Sequence, residues 1–235
     1  MRSWIAVGLL ALALGSARAE AILRLPTNER VLALTFDACE QQRPMKLDTA
    51  ISSYLVAHRI PFTLFLSGRF VEDNADAVKA LAALDFVELE NHSWDHPNRM
   101  PLLSDDAVRD EILKADSEIA AVAGVRTAFF RFPATTYDAR TLAIAEGLGF
   151  RVVHYRWESG DPDPHETADR IVRETLQAVR PGDILIHHIN GRGWHTAEAL
   201  PRLLAGLRDR GYRFVLLKDF LIDRRSRTPD RGSVR

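Results

Sequence analysis

The side chains with most capacity for chemistry fall in a few short clusters. His92-Ser-Trp-Asp-His96 holds two imidazoles four residues apart, which can converge on one cation if the segment turns helically. Asp37 follows directly on the apolar run Val31–Phe36, so a strand would deliver its carboxylate at its end. His188 closes another apolar run, Ile184-Leu-Ile, with His187 beside it. Neighbours on a strand point to opposite faces, so only one of these two histidines can look into a shared interior. Arg131 and Asp161 also stand just after strand-like runs. Taken singly, each has a plainer reading, a loop cap for Asp37 or a chance histidine pair. Together, a base, an acid and two metal ligands are the minimum set for metal-assisted hydrolysis of an amide or ester.

These groups need a scaffold that gathers strand ends. Strand-like runs at Val31–Phe36, Phe62–Leu66, Phe86–Glu88, Ala128–Phe132, Val152–Tyr155, Ile184–His188 and Phe214–Leu217 alternate with helical patterns. The helices are expected at Leu47–His58, Asp76–Leu84, Asp105–Val122, Thr141–Leu148, Thr167–Val179 and Thr196–Arg210. Seven strands and six internal helices predict one α/β domain whose parallel sheet is covered by crossover helices. In Asp105–Val122, Val108, Ile112, Ala115 and Ile119 recur at three- and four-residue steps, with Ser104 as N-cap and Gly124 as stop. Parallel βα folds bind ligands at the carboxyl ends of their strands, where Asp37, His92, His96, Arg131, Asp161 and His188 all fall.

The segments Leu34-Thr-Phe-Asp37, Glu88-Leu-Glu-Asn-His92-Ser-Trp-Asp-His96, Phe130-Arg131-Phe-Pro133 and Gly182-Asp-Ile-Leu-Ile-His-His188 resemble, in order, the motifs of the polysaccharide deacetylase family. This family is also called the NodB-homology or carbohydrate esterase family four domain. Pro61–Gly68 is similar to its second strand and Thr196–Leu217 to its closing helix and strand. The resemblance implies a single-domain, distorted (β/α)7 barrel. In it Asp37 matches the general base, His92 and His96 the metal ligands, Arg131 the residue that holds the base, and His188 the general acid. Asp161 lies where the family often orients that acid, although the tryptophan that usually follows is missing. The backbone N–H near Ala134 corresponds to the oxyanion donor, at a position usually aromatic. A divalent metal, zinc, and an acetylated carbohydrate substrate are implied with these residues.

The chain departs from that pattern after Asp37, where the family carries a second aspartate as metal ligand and this sequence reads Ala38-Cys39-Glu40. Alanine has no ligand atom. Cys39 or Glu40 can replace it, or the two histidines, Asp37 and water can hold the ion, or the site has lost its metal; a thiolate suits zinc. Trp94 and Trp194 are candidates for stacking on a sugar ring, with simple packing as the alternative. His195 can line the same mouth, whereas His58, His154 and His165 have no visible partner in a site.

The 235 residues carry 31 Lys+Arg against 32 Asp+Glu, a balance that gives no basic face for nucleic acid. Arg2, the apolar run Trp4–Leu14 and Ala17-Arg-Ala19 read as a signal peptide over 1–19, too short to span a bilayer, and imply export to the periplasm or beyond. The domain is expected over 20–223 and a frayed basic tail over 224–235. The sole cysteine, Cys39, excludes an intramolecular disulfide. The expected function is an exported hydrolase that removes an acyl group from sugars of a polysaccharide. Deacylation of a small or lipid-linked amide, or silent carbohydrate binding, are the competing readings.

Overall fold

The computed structural model describes residues 20–39 and 45–222. The segment read as a signal peptide (1–19), Glu40 and the tail expected over 224–235 lie outside the described residues.

Alternation along β1 (Val31–Ala38) organises the whole molecule. All eight of its residues are buried, because both faces of this strand are covered. Leu32, Leu34 and Phe36 face outward, and pack with Leu64 and Leu66 of β2 (Phe62–Leu66) under α1 (Thr49–Ala57) and α7 (Thr196–Asp209). Val31 and Ala33 face inward, and meet Phe65, Phe129, Val153 and Ile184 in an apolar plug. Each such side chain contributes about 1.5–3 kcal/mol of burial.

The strands are parallel and run in the order β5-β4-β3-β2-β1-β7-β6. Here β3 is Val87–Asn91, β4 Phe129–Phe130, β5 Arg151–Val152, β6 Trp157–Glu158 and β7 Ile184–His188. A further strand, β8 (Arg213–Val215), pairs with the N-terminal half of β1. The path does not close from β5 to β6, which makes the barrel open and distorted. Residues just before β1 run along this seam: Ile22 bridges to Val153 and Arg24 to Asp183, while Leu25 enters the plug.

Two acidic residues also face inward, on β3. Glu88 accepts hydrogen bonds from Thr63 Oγ1 and from the N–H groups of Leu217 and Lys218, and Glu90 accepts from Ala128 and Phe129 N–H. They satisfy backbone donors that the interrupted sheet leaves without strand partners. Burial, with Glu88 close by, holds the Glu90 carboxyl well above its ordinary range.

The remaining helices are α2 (Gly68–Asp73), α3 (Ala75–Ala82), α4 (Asp105–Ala123), α5 (Ala139–Gly147), α6 (Ala168–Ala178) and α8 (Lys218–Leu221). In α4, Ser104 caps the Ala107 N–H, Gly124 takes the left-handed conformation (φ 71°), and Val108, Ile112, Ala115 and Ile119 are buried as the periodicity predicts. Three elements depart from the sequence expectation. The six-residue α2 begins with glycine, the two-residue β6 carries no apolar run, and α8 spans one turn, so none produces a periodic signal. The strand expected over Val152–Tyr155 is shorter, because the chain leaves the sheet after Val152 and rejoins it at Trp157. No helix among the described residues is long and apolar enough to cross a membrane.

Candidate active site

The C-terminal rim of the barrel holds a pocket of about 690 Å³ whose lining includes Asp37, His96, Ala134, His188 and Arg192. Strand register assembles it. Asp37 on β1 lies directly opposite His188 on β7, so one parallel pairing sets a carboxylate beside an imidazole although the two are far apart in sequence.

Asp37 is buried, with one hydrogen-bond donor and one imidazole nitrogen close to its carboxylate. Arg131 Nη1 donates to its Oδ1 at 2.6 Å, and His92 Nε2 lies 3.3 Å from its Oδ2. Burial raises the carboxyl pKa, but Arg131, His92 and His188 outweigh it and bring the value down to about 2. The group is therefore ionised at neutral pH. Arg131 is 1% exposed, and its other donors reach the carbonyls of Val153 and His154, while its guanidinium lies 3.9 Å from the Phe65 ring centre. A cation so enclosed persists only because Asp37 neutralises it.

His92 and His96 meet without a helix between them. Ser93 (φ 69°) and His96 (φ 53°) take left-handed conformations that curl the loop and bring the two rings to 4.9 Å. The rings therefore converge through a left-handed curl and not through the helical turn that their spacing would also allow. The curl is secured from outside: Asn91 Oδ1 accepts from Ser93 N–H, and Glu111 Oε2 accepts from the N–H groups of Trp94 and Asp95. His92 Nδ1 is 2.8 Å from the Arg131 carbonyl, an acceptor only, so Nδ1 carries the proton and Nε2 offers its lone pair. Burial lowers the pKa of His92, and burial together with His92 lowers that of His96 to about 3, so both rings are neutral at pH 7.

The residues present fit a metal ion. His92 Nε2 and His96 Nδ1 are buried without a hydrogen-bond partner, an arrangement that is costly unless a ligand supplies the contact. The Cys39 sulfur joins them, and the three donor atoms lie within 4.8 Å of one another. Two N–H donors approach this sulfur, Asn190 Nδ2 at 3.4 Å and Arg192 Nη1 at 3.7 Å. Burial pushes the thiol up to about 11, against the opposing pull of Arg192.

The second half of the site is a His–Asp pair. His188 Nδ1 lies 2.9 Å from Asp161 Oδ1, while Asp161 Oδ2 accepts from His188 N–H at 2.7 Å and Thr196 Oγ1 at 2.6 Å. Burial opposes ionisation of Asp161, but His188 and His187 hold its pKa below the ordinary value. His187 points the other way, into the outer layer 5.6 Å from the Phe36 ring. Ala134 reaches the pocket in a left-handed conformation (φ 49°, ψ 23°), a strain on the order of 1–3 kcal/mol for a residue with a Cβ.

Trp94 does not serve the pocket. It is 6% exposed and packs flat on Gly68, where a Cβ would sit 2.1 Å from its ring, with Lys114 Nζ 3.7 Å from the ring centre on another side. Of the two readings the sequence left open for it, packing describes Trp94: the indole fills space under the His92–His96 loop. Trp194, by contrast, is 60% exposed on the loop that carries Arg192. Sequence reasoning missed Asn190, Arg192 and Tyr155. For Arg192 a signal existed, its place between Gly191 and Gly193 shortly after His188.

A parallel α/β barrel with paired carboxylate, imidazole and metal-donor groups on one rim has the architecture of carbohydrate deacetylases, which are hydrolases. The family model for polysaccharide deacetylases matches residues 24–153, and the chain belongs to that family. Asp161 and His188 lie beyond the matched span, and their place in the site rests on geometry. A bifunctional xylanase/deacetylase of Pseudobutyrivibrio xylanivorans is 28% identical over 197 residues, which cover 82% of this chain and 30% of that protein. The chain thus spans less than a third of that relative. The peptidoglycan N-acetylglucosamine deacetylase Bc1960 superposes with a TM-score of 0.77 at 27% identity, over 85% of this chain and 92% of the other. A mutant of a Bacillus anthracis CE4 family pseudoenzyme, with restored enzymatic activity, superposes with a TM-score of 0.75 at 25% identity, over 86% and 71%.

Proposed function

We propose that this protein is an exported, metal-assisted deacylase that removes an acetyl group from N- or O-acetylated sugars of a polysaccharide. The observation that carries this reading is the register of Asp37 against His188, with Cys39, His92 and His96 gathered at the same rim. Those three residues would hold the cation, and one thiolate with two imidazoles favours zinc. Held by these three residues, a zinc ion would supply polarisation of the acyl oxygen and a lower pKa for water.

The chain's own groups then divide the proton work. Asp37, ionised and held by Arg131, accepts a proton from the attacking water. The backbone N–H of Ala134 donates to the oxygen on which negative charge develops. His188, oriented through Nδ1 by Asp161, gives a proton to the departing sugar nitrogen or oxygen, so that acetate and a free amine or hydroxyl leave. Trp194 offers an exposed ring face for a neighbouring sugar.

The test is acetate release from a panel of acetylated glycans by zinc-reconstituted protein lacking residues 1–19. Asp37→Asn and His188→Ala are each expected to lower kcat by at least about 100-fold, with zinc content retained. Absence of acetate release from every glycan would sink the reading. Silent carbohydrate binding is the second reading, favoured by Ala38 in place of a ligand and by the likeness to a pseudoenzyme structure. Glycan binding without acetate release would establish it.

A further inference from the structure

One cation on the pocket lining has no carboxylate counter-charge among the described residues. Arg192 is the only lysine or arginine among the described residues that line the pocket. Arg131 is tied to Asp37, but among the described residues Arg192 forms no ion pair with a carboxylate. Among the described residues its guanidinium makes one hydrogen-bond contact, the 3.7 Å approach of Nη1 to the Cys39 sulfur, although it carries five N–H donors. A half-buried guanidinium with most of its donors unused presents a planar fork suited to a carboxylate.

The backbone holds that fork in place. Gly191 has φ +82°, and a Cβ on Gly193 would meet the His188 carbonyl at 2.5 Å, Thr196 Oγ1 at 2.6 Å and Asp161 Oδ2 at 2.9 Å. Gly193 therefore presses directly on the His188–Asp161 pair. Asn190 Oδ1 accepts from Arg192 N–H, and the Asp161 carbonyl accepts from Trp194 N–H. Arg192 is thus pinned on both sides to the groups that flank the reacting centre, which limits how far its side chain can stray from a bound acyl sugar.

We propose that Arg192 is a specificity-determining residue that selects acylated sugars bearing a carboxylate beside the acyl group. The proposal rests on the deacylase reading and narrows its substrate to an acidic sugar. Arg131 cannot take this part, since its guanidinium is fully enclosed, and Glu158, the exposed acid on the pocket lining, would repel such a substrate anywhere but at the Arg192 side.

The experiment uses zinc-loaded protein and two N-acetylated disaccharides that differ only in a carboxylate or its methylamide on the acylated sugar. Binding is read by calorimetry and turnover by acetate release. Wild type is expected to favour the acid by about 10- to 100-fold in both Kd and kcat/KM. Arg192→Gln should bring that ratio to within about threefold of unity, and Arg192→Lys, with the charge but not the fork, should fall between. Equal treatment of the two sugars by wild type overturns the proposal, as does a preference that survives in Arg192→Gln. Equal weakening of both sugars in Arg192→Gln also overturns it, because the residue would then only support Cys39. A binding preference without acetate release defeats the hydrolase reading alone, and acetate release without preference defeats this one alone.

Discussion

Replacement of Cys39 addresses the point at which this chain departs from its family. Burial holds the thiol up to about 11, so ionising it at pH 7 costs about 5 kcal/mol, at 1.36 kcal/mol for each of the four intervening pH units. A cation that recruits this sulfur must displace its proton, and apparent affinity then climbs about tenfold per pH unit between pH 6 and pH 9. His96, held down to about 3, adds nothing to that slope, and burial shifts His92 in the same direction. In Cys39→Asp the carboxylate is ionised throughout, so the thiol's proton disappears from the balance while any proton lost by bound water stays common to both proteins. The two slopes should differ by about one proton. Cys39→Ala removes a ligand and should weaken zinc by on the order of 3 kcal/mol, or about a hundredfold. Competition with a chromogenic chelator across that pH range measures all three proteins. Parallel slopes for wild type and Cys39→Asp, or undiminished affinity in Cys39→Ala, would show that the ion does not sit on this sulfur.

Asp161→Ala strips the partner from His188 Nδ1 and leaves the buried Thr196 hydroxyl and His188 N–H unsatisfied. It should cost about 2–4 kcal/mol in urea denaturation and lower kcat more than it raises KM; a kcat equal to wild type would remove Asp161 from the proton path. Glu90 gives a pH signature outside the pocket that Asp37 and His188 line. Its folded-state pKa is raised by burial and by Glu88, so its stabilisation is fully present below the unfolded value near 4.5 and is lost as pH rises through the folded value. Glu90→Gln, which copies the protonated acid, should therefore flatten the decline in Tm toward alkaline pH. Glu90→Ala abandons the N–H groups of Ala128 and Phe129 and should cost about 2 kcal/mol or more at every pH. A Glu90→Gln profile that follows wild type would refute the shared-burial argument.

The sequence alone was enough for the class of fold and for naming polar side chains that stand at strand ends. Strands buried on both faces, such as β1 and β7, are continuous apolar runs, and amphipathic α4 repeats at helical spacing, so both announce themselves locally. Asp37, Arg131 and His188 were legible for the same reason, since each stands where such a run stops. Three-dimensional packing decided the rest. Cys39 could be named from sequence as one of several third ligands, but only the folded chain sets its sulfur beside two unpartnered imidazole nitrogens. Trp94 looked equally fit for sugar stacking or packing until the absent Cβ of Gly68 gave it a place under the loop. For Arg192 what matters is that no carboxylate among the described residues pairs with it, and that depends on every segment folded around it. Periodicity records whether a residue is turned toward a core, whereas partnership between residues brought together from distant strands is settled by register and burial.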